Sequence, residues 1–363
     1  MKKANPIWPW MKANRKLLLI LAKIIVGGGL IAYVFHVMLR QWGAVSGAIT
    51  HAFNTHPEYL ALGLLAFVGV YILGNTRWIL LLWPHGVHLS FWPASKPWFI
   101  GHFFAQYMPG GIAGGDVIKS YYVATHRKAL GRRAEAVSTV FLDRFLGITG
   151  LISVLLIATV INLGRSAEYQ SYWLWALALL IAAGLVVVLL FNKPLVKKIP
   201  FMMRLYTRLP YRDHLTRIYD AFHFYRTCPT ELVVAWALSL LVHTTTALEA
   251  YLFGSALGLR YTFTEYLLLL SLANFLASIP VSPVGNFGTL EAACMALFGK
   301  VEGLPLAILI RLAYLAWGIP GLLLYVTHRK ELPHEPAKET AEVIEHNGLS
   351  SRPPQIEEVP AND

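Results

Sequence analysis

The sequence predicts an all-α, polytopic helical membrane protein, with about six full spans plus two re-entrant helical hairpins related as an inverted repeat. Three observations lead there. Of 363 residues, 56 % are hydrophobic and only 14 % are charged, against roughly 25 % charged in soluble domains. The chain divides into apolar runs of span length. Two apolar stretches are then interrupted by proline, spaced glycines and an acid in the same order.

The apolar runs are 17–39, 57–83, 134–162, 171–191, 230–254, 262–280 and 304–327, each near the ~20 residues that cross a hydrocarbon core. Their apolar residues lie all round rather than on one stripe, which suits lipid or a bundle interior. Strands are disfavoured because an open sheet edge finds no partner in lipid, and no alternation over ~10 residues recurs. The first run follows a basic arm and lacks a small-x-small cleavage pattern, so it reads as a retained span.

The net charge of +11 is explained by placement. Basic residues gather in the arm (Lys2, Lys3, Lys12, Arg15, Lys16), at Arg127, Lys128, Arg132 and Arg133, and in the loop 192–229. That is the bias of cytoplasmic loops, and no nucleic-acid recognition motif accompanies it, so a nucleic-acid partner is not expected. Counting on this basis puts both termini in the cytoplasm. It closes only if 97–122 and 262–299 each enter and leave on one side. The predicted organisation is a basic arm over 1–16, a transmembrane domain over 17–330 and a disordered tail over 331–363. Leu215, Ile218, Tyr219, Phe222 and Tyr225 have the spacing of a one-sided helix in the basic loop, lying on the membrane surface or crossing solvent. Cys228 and Cys294 are isolated, which offers neither a disulfide framework nor a paired-cysteine metal site.

The interrupted stretches correspond. HFFAQY from His102 leads into Pro109, Gly111, Gly114 and Asp116; NFLASI from Asn274 leads into Pro283, Gly285, Gly288 and Glu291. The first enters from the cytoplasm and the second from outside, as an inverted repeat would have it, and such paired breaks point to a transporter's binding site. Broken helices free backbone groups that are tolerated only beside a cavity or within protein. Half-helices starting near Gly115 and Gly288 would turn positive ends toward an anion such as phosphate. Asn274, Ser278, Ser282 and Asn286 add uncharged partners. The alternative for the glycines is close helix packing.

Charges within the spans cost ~3 kcal/mol each and commonly mark a polar path. Asp143 and Arg144 are adjacent, hence about 100° apart on a helix, and each needs a partner elsewhere. By depth, Arg77, Asp116, Lys119, Asp143 and Arg144 fall in the cytoplasmic half, and Glu249, Glu291 and Arg311 in the outer half. Snorkelling is the alternative for Arg77 and Lys119; a structural inter-helix ion pair is the alternative for Asp143 and Arg144.

No HExxH, GxSxG, Walker loop or paired CxxC occurs, so no catalytic residue, metal or cofactor is predicted. Gly114-Gly115-Asp116 departs from the Gly-x-Gly-Asp of intramembrane aspartyl proteases because position 113 is alanine. Two alternatives stand beside transport. One is a lipid-linked transferase using Asp116, Asp143 and Glu291; the other is a non-transporting scaffold for a lipid-modifying enzyme.

The element from Pro109 to Asp116 followed by the Asp143 segment resembles the first signature of the lysylphosphatidylglycerol synthase transmembrane-region, or flippase-like, family. Pro280, Ser282, Pro283, Gly285, Gly288 and Glu291 match its second signature, Pro-x-Ser-Pro-x-Gly-x-x-Gly-x-x-Glu, and Arg311 its downstream arginine. The resemblance covers most of 15–330. Its members are similar to the flippase half of the multiple peptide resistance factor, which translocates aminoacylated phosphatidylglycerol; others accompany hopanoid or glycolipid pathways. Lys119 stands where that family is expected to have arginine, and Asp116 where many members have glutamate. No cytosolic aminoacyl-transferase domain is expected from these residues, nor synthesis of lysyl-lipid.

The expectation is a multi-pass protein of the bacterial inner membrane that moves a polar-headed lipid, a modified phospholipid or lipid-linked intermediate, between leaflets. Its partners would be membrane lipids and, on the scaffold alternative, a lipid-modifying enzyme. The candidate substrate-binding residues are Pro109, Gly111, Gly114, Asp116, Lys119, Asp143, Arg144, Asn274, Ser282, Pro283, Gly285, Gly288, Glu291, Arg311 and Glu249.

Overall fold

A computed structural model describes residues 15–108, 111–129, 131–164, 223–279, 282 and 285–328, with single helical positions between 174 and 185. Among the described residues all regular structure is helical. The helices are α1 (Arg15–Arg40), α2 (Trp42–Thr55), α3 (Pro57–Leu82), α4 (Phe91–Tyr107), α5 (Gly111–Thr125), α6 (Arg133–Ile161), α7 (Pro229–Ala256), α8 (Phe263–Ala277), α9 (Thr289–Leu297) and α10 (Lys300–His328). The chain divides into two units, Met1–Leu324 and Tyr325–Asp363; of the second, only the end of α10 is described.

Four helices are long and apolar enough to cross a membrane: Pro57–His85, Arg133–Ile161, Pro229–Ala256 and Lys300–Thr327. They coincide with four predicted spans, and α1 coincides with a fifth. The run 171–191 falls almost wholly outside the described residues, as do the arm to residue 14, the basic loop to residue 222 and the tail from 329. Large apolar side chains such as Ile25, Leu39, Leu65, Val233, Val301 and Leu323 stand exposed on the long helices. Outward apolar and inward polar is the pattern a lipid solvent selects. The protein is a polytopic helical membrane protein.

Local sequence sets the helix starts. Proline occupies the first turn of α3 and α7 with an acid close behind, Glu58 and Glu231; proline there has no N–H to leave unpaired, and the acid faces the positive helix end. Before α8, Thr262 donates its backbone N–H and hydroxyl to Glu265 at 2.7 and 2.8 Å, capping the start from within.

α7 runs alongside α3, and α6 packs against α5, α7 and α8. One apolar core joins α7, α8, α9 and α10 around Phe253, Tyr266, Leu269 and Ile310. A second joins α3, α4, α5 and α6 around Trp78, Leu82, Val123 and Val140. Each core holds one of the broken helical pairs, α8–α9 in the first and α4–α5 in the second.

Candidate functional site

The two breaks meet. α4 ends at Tyr107 and α5 begins at Gly111; α8 ends at Ala277 and α9 begins at Thr289. Gly111 and Gly285 both have left-handed backbone, with φ of 52° and 54°, which only glycine adopts without strain. A Cβ on Gly111 would sit 2.7 Å from the Gly285 carbonyl oxygen, and one on Gly285 would sit 3.1 Å from that of Gln106. Pro109 and Pro283 lie outside the described residues.

One predicted boundary is corrected. The first half-helix starts at Gly111, not near Gly115. Gly115 lies inside α5, where a Cβ would run into the Gly101 carbonyl of α4, so this glycine serves close helix packing; Gly114, half-buried, precedes it. The second half-helix starts after Gly288 as predicted. There the Gly288 N–H donates to Glu291 Oε2 at 2.8 Å, so the chain's own carboxylate already caps the positive end.

Asp143 and Arg144 find separate partners, as their adjacency requires. Arg77 Nε–H donates to Asp143 Oδ1 at 2.7 Å, and Lys119 Nζ reaches Asp143 Oδ2 at 3.4 Å. Arg77 also donates to Ser239 Oγ of α7 at 2.9 Å, and Lys119 lies 4.0 Å from the centre of the Trp78 ring. Both cations therefore turn inward rather than snorkel. Arg144 Nε–H is shared between the two oxygens of Asp116, at 2.8 and 2.7 Å. Its side chain is 47 % exposed, against 10 % for Arg77 and 8 % for Lys119, which makes this the accessible pair.

Arg311 clasps both breaks. Its Nε–H donates to Glu291 Oε1 at 2.7 Å, and Nη1 donates to Asn286 Oδ1 at 2.8 Å and Gln106 Oε1 at 3.2 Å. Nη2 donates to the Asn286 carbonyl at 3.1 Å, and the guanidinium lies 4.3 Å from the Phe287 ring centre. One buried cation thus joins α10, the α8–α9 connection and the end of α4. Ser282 donates to the Phe287 carbonyl at 2.8 Å and shapes the same connection.

A cavity of about 310 Å³ opens among α3, α4, α5, α6, α7, α8 and α10. The candidates Asp116, Lys119, Asp143, Arg144 and Asn274 line it, together with Arg77, Ser278 and Asn286. Three cations face two carboxylates there, a surplus of one positive charge. Gly111, Ser282, Gly285, Gly288, Glu291 and Arg311 build the wall around the breaks without lining the cavity. Glu249 joins neither network. It is 1 % exposed, and its Oε1 has no hydrogen-bonding partner among the described residues.

The sequence did not single out several lining residues. His102 Nε2–H donates to the Tyr314 carbonyl at 3.0 Å and His243 Nε2–H to the Gly147 carbonyl at 2.9 Å, since a carbonyl can only accept. Both rings line the cavity, as do Gln106, Trp98 and Tyr314. A polar residue inside an apolar run is the available signal, and Gln106, His102 and His243 carry it. Of the three carboxylates of the transferase alternative, Asp116 and Asp143 line the cavity on different cations, whereas Glu291 pairs with Arg311 outside its lining. Among the described residues no three His, Cys, Asp or Glu side chains form a ligand set for a metal.

The family described as the lysylphosphatidylglycerol synthase TM region matches residues 20–321. A curated relative, the UPF0104 membrane protein of Pyrococcus horikoshii, is 21 % identical over 320 residues, covering 83 % of this chain and 93 % of that protein.

Proposed function

The chain belongs to the lysylphosphatidylglycerol synthase transmembrane-region family, and from that premise we propose that it moves a polar-headed lipid between leaflets. The observation that carries this reading is the cavity: three cations and two carboxylates gathered where two broken helices meet. Charges are gathered inside a membrane protein at a high desolvation cost, which a polar cargo offsets. A volume of about 310 Å³ lies at the small end of ligand sites, which run from ~300 Å³. It suits a headgroup, with the acyl chains left in the bilayer. The surplus positive charge favours a headgroup carrying phosphate.

In this reading α4–α5 and α8–α9 are hairpins entering from opposite faces, related as an inverted repeat. The contact between Gly111 and Gly285 supports it, because two such hairpins meet at their tips. Arg144 and Asp116, the accessible pair, receive the headgroup first. The Arg311 clasp then holds the tips together while the cargo waits between leaflets. We assign the chain to a bacterial inner membrane with both termini cytoplasmic, on the strength of its basic clusters.

Lipid retained by the purified protein tests the reading. Mass spectrometry of the extract should find a phosphate-bearing lipid in near-stoichiometric amount in wild type. Lys119→Met and Arg144→Gln should reduce it several-fold. Wild-type protein that retains no lipid above the composition of the surrounding membrane would count against the cavity as its site.

A further inference from the structure

Among the described residues, Glu249 is a buried acid that joins neither the headgroup cavity nor the Arg311 clasp at the breaks. Arg77, Lys119, Asp143, Glu291 and Arg311 are all buried, and each is held by an opposite charge. Glu249 is equally buried, yet among the described residues its Oε1 meets no hydrogen-bond partner. An ionised carboxylate left in this way is strongly unfavourable, whereas the neutral acid asks for one acceptor at most.

Its position gives that proton somewhere to go. Ser239, His243, Thr246 and Glu249 follow one another on α7 at spacings of four, three and three residues, one side of a helix. Ser239 is bonded to Arg77, and His243 and Thr246 line the cavity. Glu249 lies on this stripe one turn beyond Thr246. From α10, the Tyr314 phenol interacts with Glu249 and also lines the cavity, while Arg311, one turn before it and acting on the same phenol, is taken up by Glu291 at 2.7 Å.

The other elements against α7 bring no charge that stabilises a carboxylate at 249. From α3 and α6, Arg77 and Asp143 close on each other beside Ser239, ten residues and ~15 Å along α7. Tyr71 of α3 is bonded to Ser95, and Glu58 is taken up with His56. From α8, Tyr266 is buried with its hydroxyl unpartnered. From α2, His51 is bonded to Thr55 at the surface.

We propose that Glu249 is a proton-binding site, neutral in the conformation described, and that its loading and unloading couple a transmembrane proton gradient to the transport cycle. This rests on the transport reading above. One proton is taken from water on one face onto the Glu249 carboxylate and given to water on the other face. The stripe on α7 carries the change of state toward Arg77 and the headgroup cavity.

Two measurements on the full chain test it. In lipid nanodiscs at neutral pH, the infrared difference between wild type and Glu249→Gln should contain the C=O stretch of a protonated carboxylic acid. Carboxylate stretches in its place would overturn the proposal. In vesicles holding a labelled anionic phospholipid, a one-unit pH gradient should drive wild-type protein toward an asymmetry of about tenfold, the limit for one proton per lipid. Glu249→Gln should leave the lipid symmetric with or without the gradient, and Glu249→Asp should restore part of the response. A Glu249→Gln protein that still answers the gradient, or wild type that moves lipid and ignores it, would refute the coupling. Wild type that moves no lipid at all would instead sink the transport reading and the coupling with it, while the infrared band still reports on the proton.

Discussion

Asp143 answers two cations, Arg77 at 2.7 Å and Lys119 at 3.4 Å, so its neighbours are not equivalent under mutation. Asp143→Asn strands both positive charges in the core and should cost about 3–5 kcal/mol, the usual penalty for removing one side of a buried pair. Lys119→Met leaves Asp143 paired with Arg77. It fills similar volume over Trp78, and its cost should stay below about 1.5 kcal/mol. Thermal unfolding of the solubilised protein distinguishes them: a large drop in midpoint for the first and a small one for the second. At this scale the sequence was partly legible. Adjacency alone says that Asp143 and Arg144 need different partners, and depth along the spans groups Arg77, Lys119 and Asp116 with them. Ser239 was not legible, and Gln106 shows only that it is polar within an apolar run, because neither side chain has a direction until the neighbouring helix is in place.

The breaks are a matter of elements. Gly111 is fixed twice, by a φ of 52° and by the Gly285 carbonyl that a Cβ would meet at 2.7 Å. Gly111→Ala should destabilise by about 1–3 kcal/mol from backbone strain alone, before the contact with Gly285 is counted. Gly28, inside α1, has nothing within 4 Å of the same position; Gly28→Ala should be neutral or gain up to about 1 kcal/mol of helix propensity. Chemical unfolding of both variants checks the contrast, and equal effects would mean that the tips do not bear on each other. The proline, glycines and acid in each stretch made both breaks legible as interruptions of a helix. The start of α5 was misread because a glycine inside a helix and a glycine ahead of one look alike in sequence. Only the nearness of Gly101 to Gly115 separates them.

For the molecule as a whole, low charge content and span-length apolar runs were enough to read a polytopic helical membrane protein, since lipid leaves few other solutions for the backbone. How the helices gather was not legible: the pairing of α3 with α7 and the convergence of seven helices on one cavity depend on all-round apolar surfaces that carry no directional pattern. Passage of a headgroup through that cavity can be followed with a labelled, phosphate-headed lipid between leaflets of vesicles that hold the full chain at known density. Wild type should equilibrate the two leaflets far faster than protein-free vesicles, and Lys119→Met and Arg144→Gln, inserted at equal density, should slow this at least about tenfold, the equivalent of ~1.4 kcal/mol on the barrier. Wild-type vesicles no faster than protein-free ones, or variants as fast as wild type, would mean that no headgroup crosses through this cavity.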